Sequence, residues 1–220
     1  YRDGFDVDFK VRMKGNFTSR TRFLLTDIRR IPGDKGGDCT LHFYPGRKSS
    51  YHSFFEVLPP KTYFKDHPEW FSLVDGVRQP KQLCVTNPDV LREYVRRTKE
   101  LLRGAPDVDF IQVSQNDWQG ACACERCKAA AAADGGTPAG PYLAFANAVA
   151  EAIEPEFPHV TVDTFAYQFT RQAPKITRCA PNVSVRICDI ECCFTHPLAE
   201  CDRLMDPFGG LADPGVSFQK

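Results

Sequence analysis

The chain has 220 residues, of which 42% are apolar, 12% aromatic and 25% charged, enough for one substantial globular domain. Its 28 lysines and arginines balance 28 aspartates and glutamates, so no net charge points to nucleic acid or anionic lipid as a partner. No apolar run reaches the roughly 18–20 residues of a membrane-crossing helix, so no such span is expected.

Residues 5–13 alternate, with Phe5, Val7, Phe9, Val11 and Met13 on one face, which predicts a half-buried strand. A second strand is expected at Thr40–Tyr44, between Gly36-Gly37 and Pro45-Gly46, inside an otherwise irregular stretch from about 14 to 50. His52-Ser-Phe-Phe-Glu56 lies in an aromatic, β-prone run. Asn87 followed by Pro88 is a helix start: a capping side chain, then a proline whose missing N–H costs nothing there. Val90, Leu91, Tyr94, Val95, Leu101 and Leu102 then recur at helical spacing, with Arg92, Glu93, Arg96 and Arg97 on a solvated face, until Gly104 and Pro106 stop the helix. Phe110–Val113 reads as a strand. Tyr142, Phe145, Ala146, Val149 and Ile153 predict a second helix, closed by Pro155. Val160–Phe165 and Val183–Ile187 read as further strands.

Strands alternating with helices predict an α/β fold built from βαβ units around a parallel sheet. No glycine-rich phosphate loop follows any strand, which favours a TIM-type (β/α)8 barrel over a nucleotide-binding doubly wound sheet. A whole barrel takes about 250 residues. The roughly four or five barrel strands legible here predict a partial barrel, a fragment lacking several strands.

In such barrels the active site lies at the carboxyl ends of the strands. Just past these ends stand Ser114-Gln-Asn-Asp-Trp118, then Tyr167 and Gln168, then Asp189-Ile-Glu191 and His196, with His52 earlier. Amides and carboxylates grip sugar hydroxyls, and aromatic rings stack on a pyranose face. Asp117 and Glu191, on different strands, are the candidate catalytic pair for breaking a glycosidic bond. Asn116, Trp118, His52, Tyr167, Gln168 and His196 are the candidate substrate-binding residues.

The chain has ten cysteines. Among them Cys122-Ala-Cys-Glu-Arg-Cys127 offers Cys124 and Cys127 at zinc-ligand spacing, with Cys122 as a third thiolate. No fourth ligand is identifiable, and a local disulfide or free thiols are the alternatives. The expectation is no catalytic cofactor, with structural zinc as the one candidate ion. A metal-binding module built on this cluster is one rival reading of the chain, and a non-catalytic glycan-binding barrel is another.

The ordered motifs His52–Pro60, Tyr63–Gly76, Gln82–Pro88, Ser114–Trp118, the CxCxxC, Thr164–Gln168 and Arg186–Cys193 together resemble a bacterial family, domain of unknown function 4838. That family is similar to glycoside hydrolase family 163, which includes endo-β-N-acetylglucosaminidases. The resemblance implies a barrel hydrolase acting on an N-acetylhexosamine-containing glycan, in the periplasm, at the cell surface or secreted. It also implies that two neighbouring polar residues at one strand end orient the substrate's acetamido group and donate a proton. Asn116-Asp117 departs from this, since an amide replaces one carboxylate, and Glu191 becomes the candidate acid. The resulting division is an irregular, partly β lead-in at 1–50, a barrel portion at 51–205 and a truncated C-terminal loop at 206–220.

Overall fold

The structure, a computed structural model, describes residues 52–106 and 108–188. The strands expected at 5–13 and Thr40–Tyr44, the lead-in and the C-terminal loop lie outside the described residues.

The first described segment corrects the β-prone reading of His52–Glu56. Phe54–Val57 is a single helical turn, α1, in which the Ser53 carbonyl accepts from Glu56 and Val57 N–H. The reason is tertiary: Phe54 is buried among the rings of Tyr94, Tyr142 and Phe145 at centroid distances of 5.9, 5.9 and 5.7 Å, and that packing overrides aromatic β-propensity. A second turn, α2 (Pro60–Tyr63), and a 3-10 turn (Pro68–Trp70) lead into a hairpin of β1 (Phe71–Val74) and β2 (Val77–Leu83). Asp75 (φ 50°) and Gly76 (φ 77°) form its two-residue turn, both with the positive φ that such a tight connection requires.

Helix α3 (Pro88–Arg103) begins as its sequence predicts, with the Asn87 side chain accepting from Asp89 N–H at 2.9 Å and proline in the first turn. It buries Val90, Tyr94, Thr98 and Leu102, while Arg96 and Arg97 pair with Glu93 and Glu100 on the exposed face. Strand β3 (Phe110–Gln112) follows, then α4 (Glu125–Ala133), α5 (Ala139–Ile153), β4 (Thr161–Ala166), a 3-10 turn (Gln168–Thr170) and β5 (Val183–Ile187).

Strands β3, β4 and β5 pair in that order, all parallel, with Gln112 opposite Asp163 and Phe165 opposite Arg186. Ile111, Val113 and Val162 join the apolar core with α3 and α5. Register places Phe110, Gln112, Asp163, Phe165 and Arg186 on the other face. There the buried Asp163 carboxylate accepts from Arg186 at 2.6 Å, with the Gln112 amide at 3.4 Å. Residues on both faces of β3 and β4 are thus buried, yet one of the faces carries a polar row. Among the described residues no helix is long and apolar enough to cross a membrane.

Candidate functional site

The segment leaving β3 is fastened residue by residue. Ser114 donates its N–H to Ser53 Oγ (3.0 Å), and its carbonyl accepts from Phe54 N–H (3.1 Å). The buried Gln115 amide donates to Tyr167 O (2.9 Å) and Thr170 Oγ1 (2.6 Å), joining this edge to the end of β4. Asn116 is also buried. Its side-chain amide donates to Lys81 O and its N–H to Gln82 Oε1, both at 2.9 Å. The Gln82 amide then donates to the carbonyls of Asn116 (2.9 Å) and Trp118 (2.5 Å), so one buried side chain from β2 grips the chain on both sides of Asp117. Only then does the segment turn outward: the Asp117 side chain is 61% exposed and Trp118 is 53% exposed, its ring edge-on to Phe55.

Three residues from other elements meet Asp117. Tyr167 O–H donates to its Oδ1 at 2.7 Å, the Gln168 amide reaches the same oxygen at 3.5 Å, and His52 Nε2 lies 4.0 Å from it. The Gln168 amide also donates to the Tyr167 hydroxyl at 3.1 Å. His52 Nδ1 faces the Gln115 carbonyl at 2.8 Å, and a carbonyl only accepts, so Nδ1 carries the hydrogen. The other ring nitrogen, Nε2, is the one that faces Asp117. Burial first, then the hydrogen bond and charge of Asp117, push the Tyr167 hydroxyl up to about 12. It stays a protonated donor throughout the neutral range. The described residues hold three non-glycine positions at positive φ: Asp75 in the hairpin turn, His52 (59°) and Gln168 (50°). Two of the three therefore flank Asp117, and uncommon backbone of this kind concentrates where a site is being shaped.

A second constellation lies against the hairpin. Cys84, just past β2, joins Cys122, Cys124 and Cys127, all four buried, with every sulfur within 4.8 Å of the others. The Cys84 sulfur is 3.6 Å from that of Cys124 and 3.8 Å from that of Cys127, and none of the four is disulfide-bonded. Leu73 N–H (3.3 Å) and the Arg78 guanidinium (3.7 Å) donate to Cys122, and Thr86 Oγ1 lies 3.1 Å from Cys127. Hydrogen bonds from Cys127 and Cys84 hold the Cys122 thiol far below the ordinary range. The same contacts raise its neighbours: Cys84 is pushed up to about 11, chiefly by its bond to Cys122, and Cys127 is pushed well up. Four buried cysteines so placed can bind a metal ion.

Residues 1–209 match the family described as Domain of unknown function (DUF4838). The chain belongs to that family. The match takes in the first fifty residues as well as the motifs that carry the resemblance, and no curated protein matches the chain.

Of the residues singled out in this DUF4838 protein, Asp117, Tyr167, Gln168 and His52 come together, and Trp118 stands exposed beside them. Asn116 is placed inward, holding the loop rather than facing solvent. Glu191 and His196 lie outside the described residues. Cys122, Cys124 and Cys127 do cluster, and Cys84 completes the set. Sequence reading had missed Cys84 and Gln82. Asp75-Gly76 between Val74 and Val77 was the available signal, since a hairpin there brings Gln82 and Cys84 to the loop after β3.

Proposed function

We propose that this DUF4838 protein is a glycoside hydrolase that cleaves a bond in an N-acetylhexosamine-containing glycan, at the carboxyl edge of a partial (β/α)8 barrel. The observation that carries the reading is the meeting of Asp117 with Tyr167, Gln168 and His52 at the carboxyl ends of adjacent parallel strands, next to an exposed tryptophan. Parallel strands with a helical layer on one face and a polar row on the other support the barrel.

In this reading Trp118 stacks on a sugar ring, and His52 and Gln168 orient polar groups of the substrate. Asp117, steadied by the Tyr167 hydroxyl, orients or polarises the attacking group. Glu191 is the general acid, protonating the leaving oxygen. It follows β5 by four residues, and β5 ends on the edge that carries Tyr167: Cys188 N–H bonds to Ala166 O at 3.1 Å. The four-cysteine cluster, here a structural zinc site, stands outside the chemistry, because a site filled by four protein ligands leaves no position for substrate.

The test assays Asp117→Asn and Glu191→Gln on a glycopeptide bearing an N-glycan, with calorimetry on the same ligand. Each variant is expected to lose turnover by about 100-fold or more while binding changes little. Unchanged turnover in either variant removes that residue from the mechanism. Binding without product from the native protein replaces the hydrolase with a glycan-binding barrel.

A further inference from the structure

We infer that Cys84, Cys122, Cys124 and Cys127 are the four ligands of a zinc ion that fastens the Asp117-bearing loop to the β1–β2 hairpin. The geometry fits one ion. A tetrahedron with zinc–sulfur bonds of about 2.3 Å has sulfur–sulfur edges of about 3.8 Å. The sulfurs of Cys84 and Cys124 are 3.6 Å apart, those of Cys84 and Cys127 are 3.8 Å apart, and the whole set lies within 4.8 Å. These separations are far beyond the roughly 2.05 Å of a disulfide. They are also tighter than thiolates spread around a multi-iron cluster would be. Thiolate softness and tetrahedral shape suit zinc, with a single iron of the same coordination as the competing ion.

The surroundings fit the charge. A zinc ion with four thiolates is a dianion, and the Arg78 guanidinium and Leu73 N–H both point at Cys122 sulfur. Such donors around the sulfurs orient the ligands and stabilise their charge. With every coordination position filled by protein, the ion is structural.

Its place in the fold gives it a task. Cys84 follows the hairpin, and Cys122 begins the motif five residues past Asp117. Ala123 N–H also bonds to Leu73 O at 2.8 Å, so the loop already lies along β1. The ion closes the far end of a segment whose near end Gln82 holds, and so fixes where Asp117 stands. None of this depends on what Asp117 does, and the measurements below read metal rather than sugar chemistry, so the glycan reading and this one fail separately.

Elemental analysis of the purified full chain is expected to give one zinc per molecule, and X-ray absorption at the zinc edge a shell of four sulfurs at about 2.3 Å. Cys84→Ser should drop zinc below stoichiometric, whereas Cys179→Ser, at an exposed position outside the cluster, should retain it. Cobalt(II) exchanged into the native protein should show the absorption of a tetrahedral thiolate site. Zinc-free native protein, iron in its place, or a shell with fewer than four sulfurs overturns the inference. The absorption spectrum decides even if Cys84→Ser fails to fold.

Discussion

At Tyr167 one hydroxyl links the shape of the site to its protonation. The hydrogen bond to Asp117 exists only while the phenol keeps its proton, and burial together with the carboxylate pushes its titration up to about 12. A folded-state value above the unfolded one means that the contribution is complete below the ordinary tyrosine range and is lost as pH rises through about 12. Burial also raises Tyr142 and Tyr63, so the difference between the tyrosinate absorbance titrations of the native protein and Tyr167→Phe should isolate the late Tyr167 step, and Asp117→Asn should bring that step partway back. A Tyr167 step unmoved by that substitution would show that burial alone sets it. Asp117 and Tyr167 were legible in the sequence because each follows an apolar strand-like run, and strand ends are where a parallel sheet exposes functional side chains. The role of Asn116 was not legible. Whether an amide beside an aspartate faces a ligand or a backbone carbonyl depends on Lys81 and Gln82, residues 35 and 34 positions away.

The same division between local and distant causes holds for the elements. Helix α3 was legible from its Asn87-Pro88 start and amphipathic face, and α5, β4 and β5 from their apolar spacing. Helix α4 was not: Glu125-Arg-Cys-Lys-Ala-Ala-Ala-Ala-Ala133 has no apolar stripe, and Cys127 is its one buried residue. The hairpin was hidden by Pro80 and the polar residues of β2, despite its Asp75-Gly76 turn. That hairpin works through Gln82. Its side chain satisfies three backbone groups of the loop after β3, so Gln82→Ala should leave buried donors and acceptors without partners and cost about 3 kcal/mol in urea unfolding. A loss well under 1 kcal/mol would mean that water replaces the amide freely, and that the loop does not depend on the hairpin.

For the whole molecule, the parallel sheet and the hairpin meet at one loop, held by Gln82 on one side and the cysteines on the other. An ion bound only by the folded state stabilises it by mass action, so a strong chelator should lower the Tm by several degrees, with recovery on adding zinc but not magnesium. A melting curve indifferent to chelation would separate the cluster from global stability. The Asp75-Gly76 turn is the one sequence signal that reaches Cys84 as a partner of Cys122, 38 positions on, because the folding of the hairpin makes them neighbours.

The grip of a single buried amide on the carbonyls before and after Asp117 has a consequence for how this surface can change. The clamp touches main chain alone, so the two outward side chains, at 117 and 118, resemble a cartridge seated in a fixed holder. Exchanging them leaves the Gln82 bonds to the main chain in place, so very short sequence edits can change the exposed rim without unseating the loop beneath it.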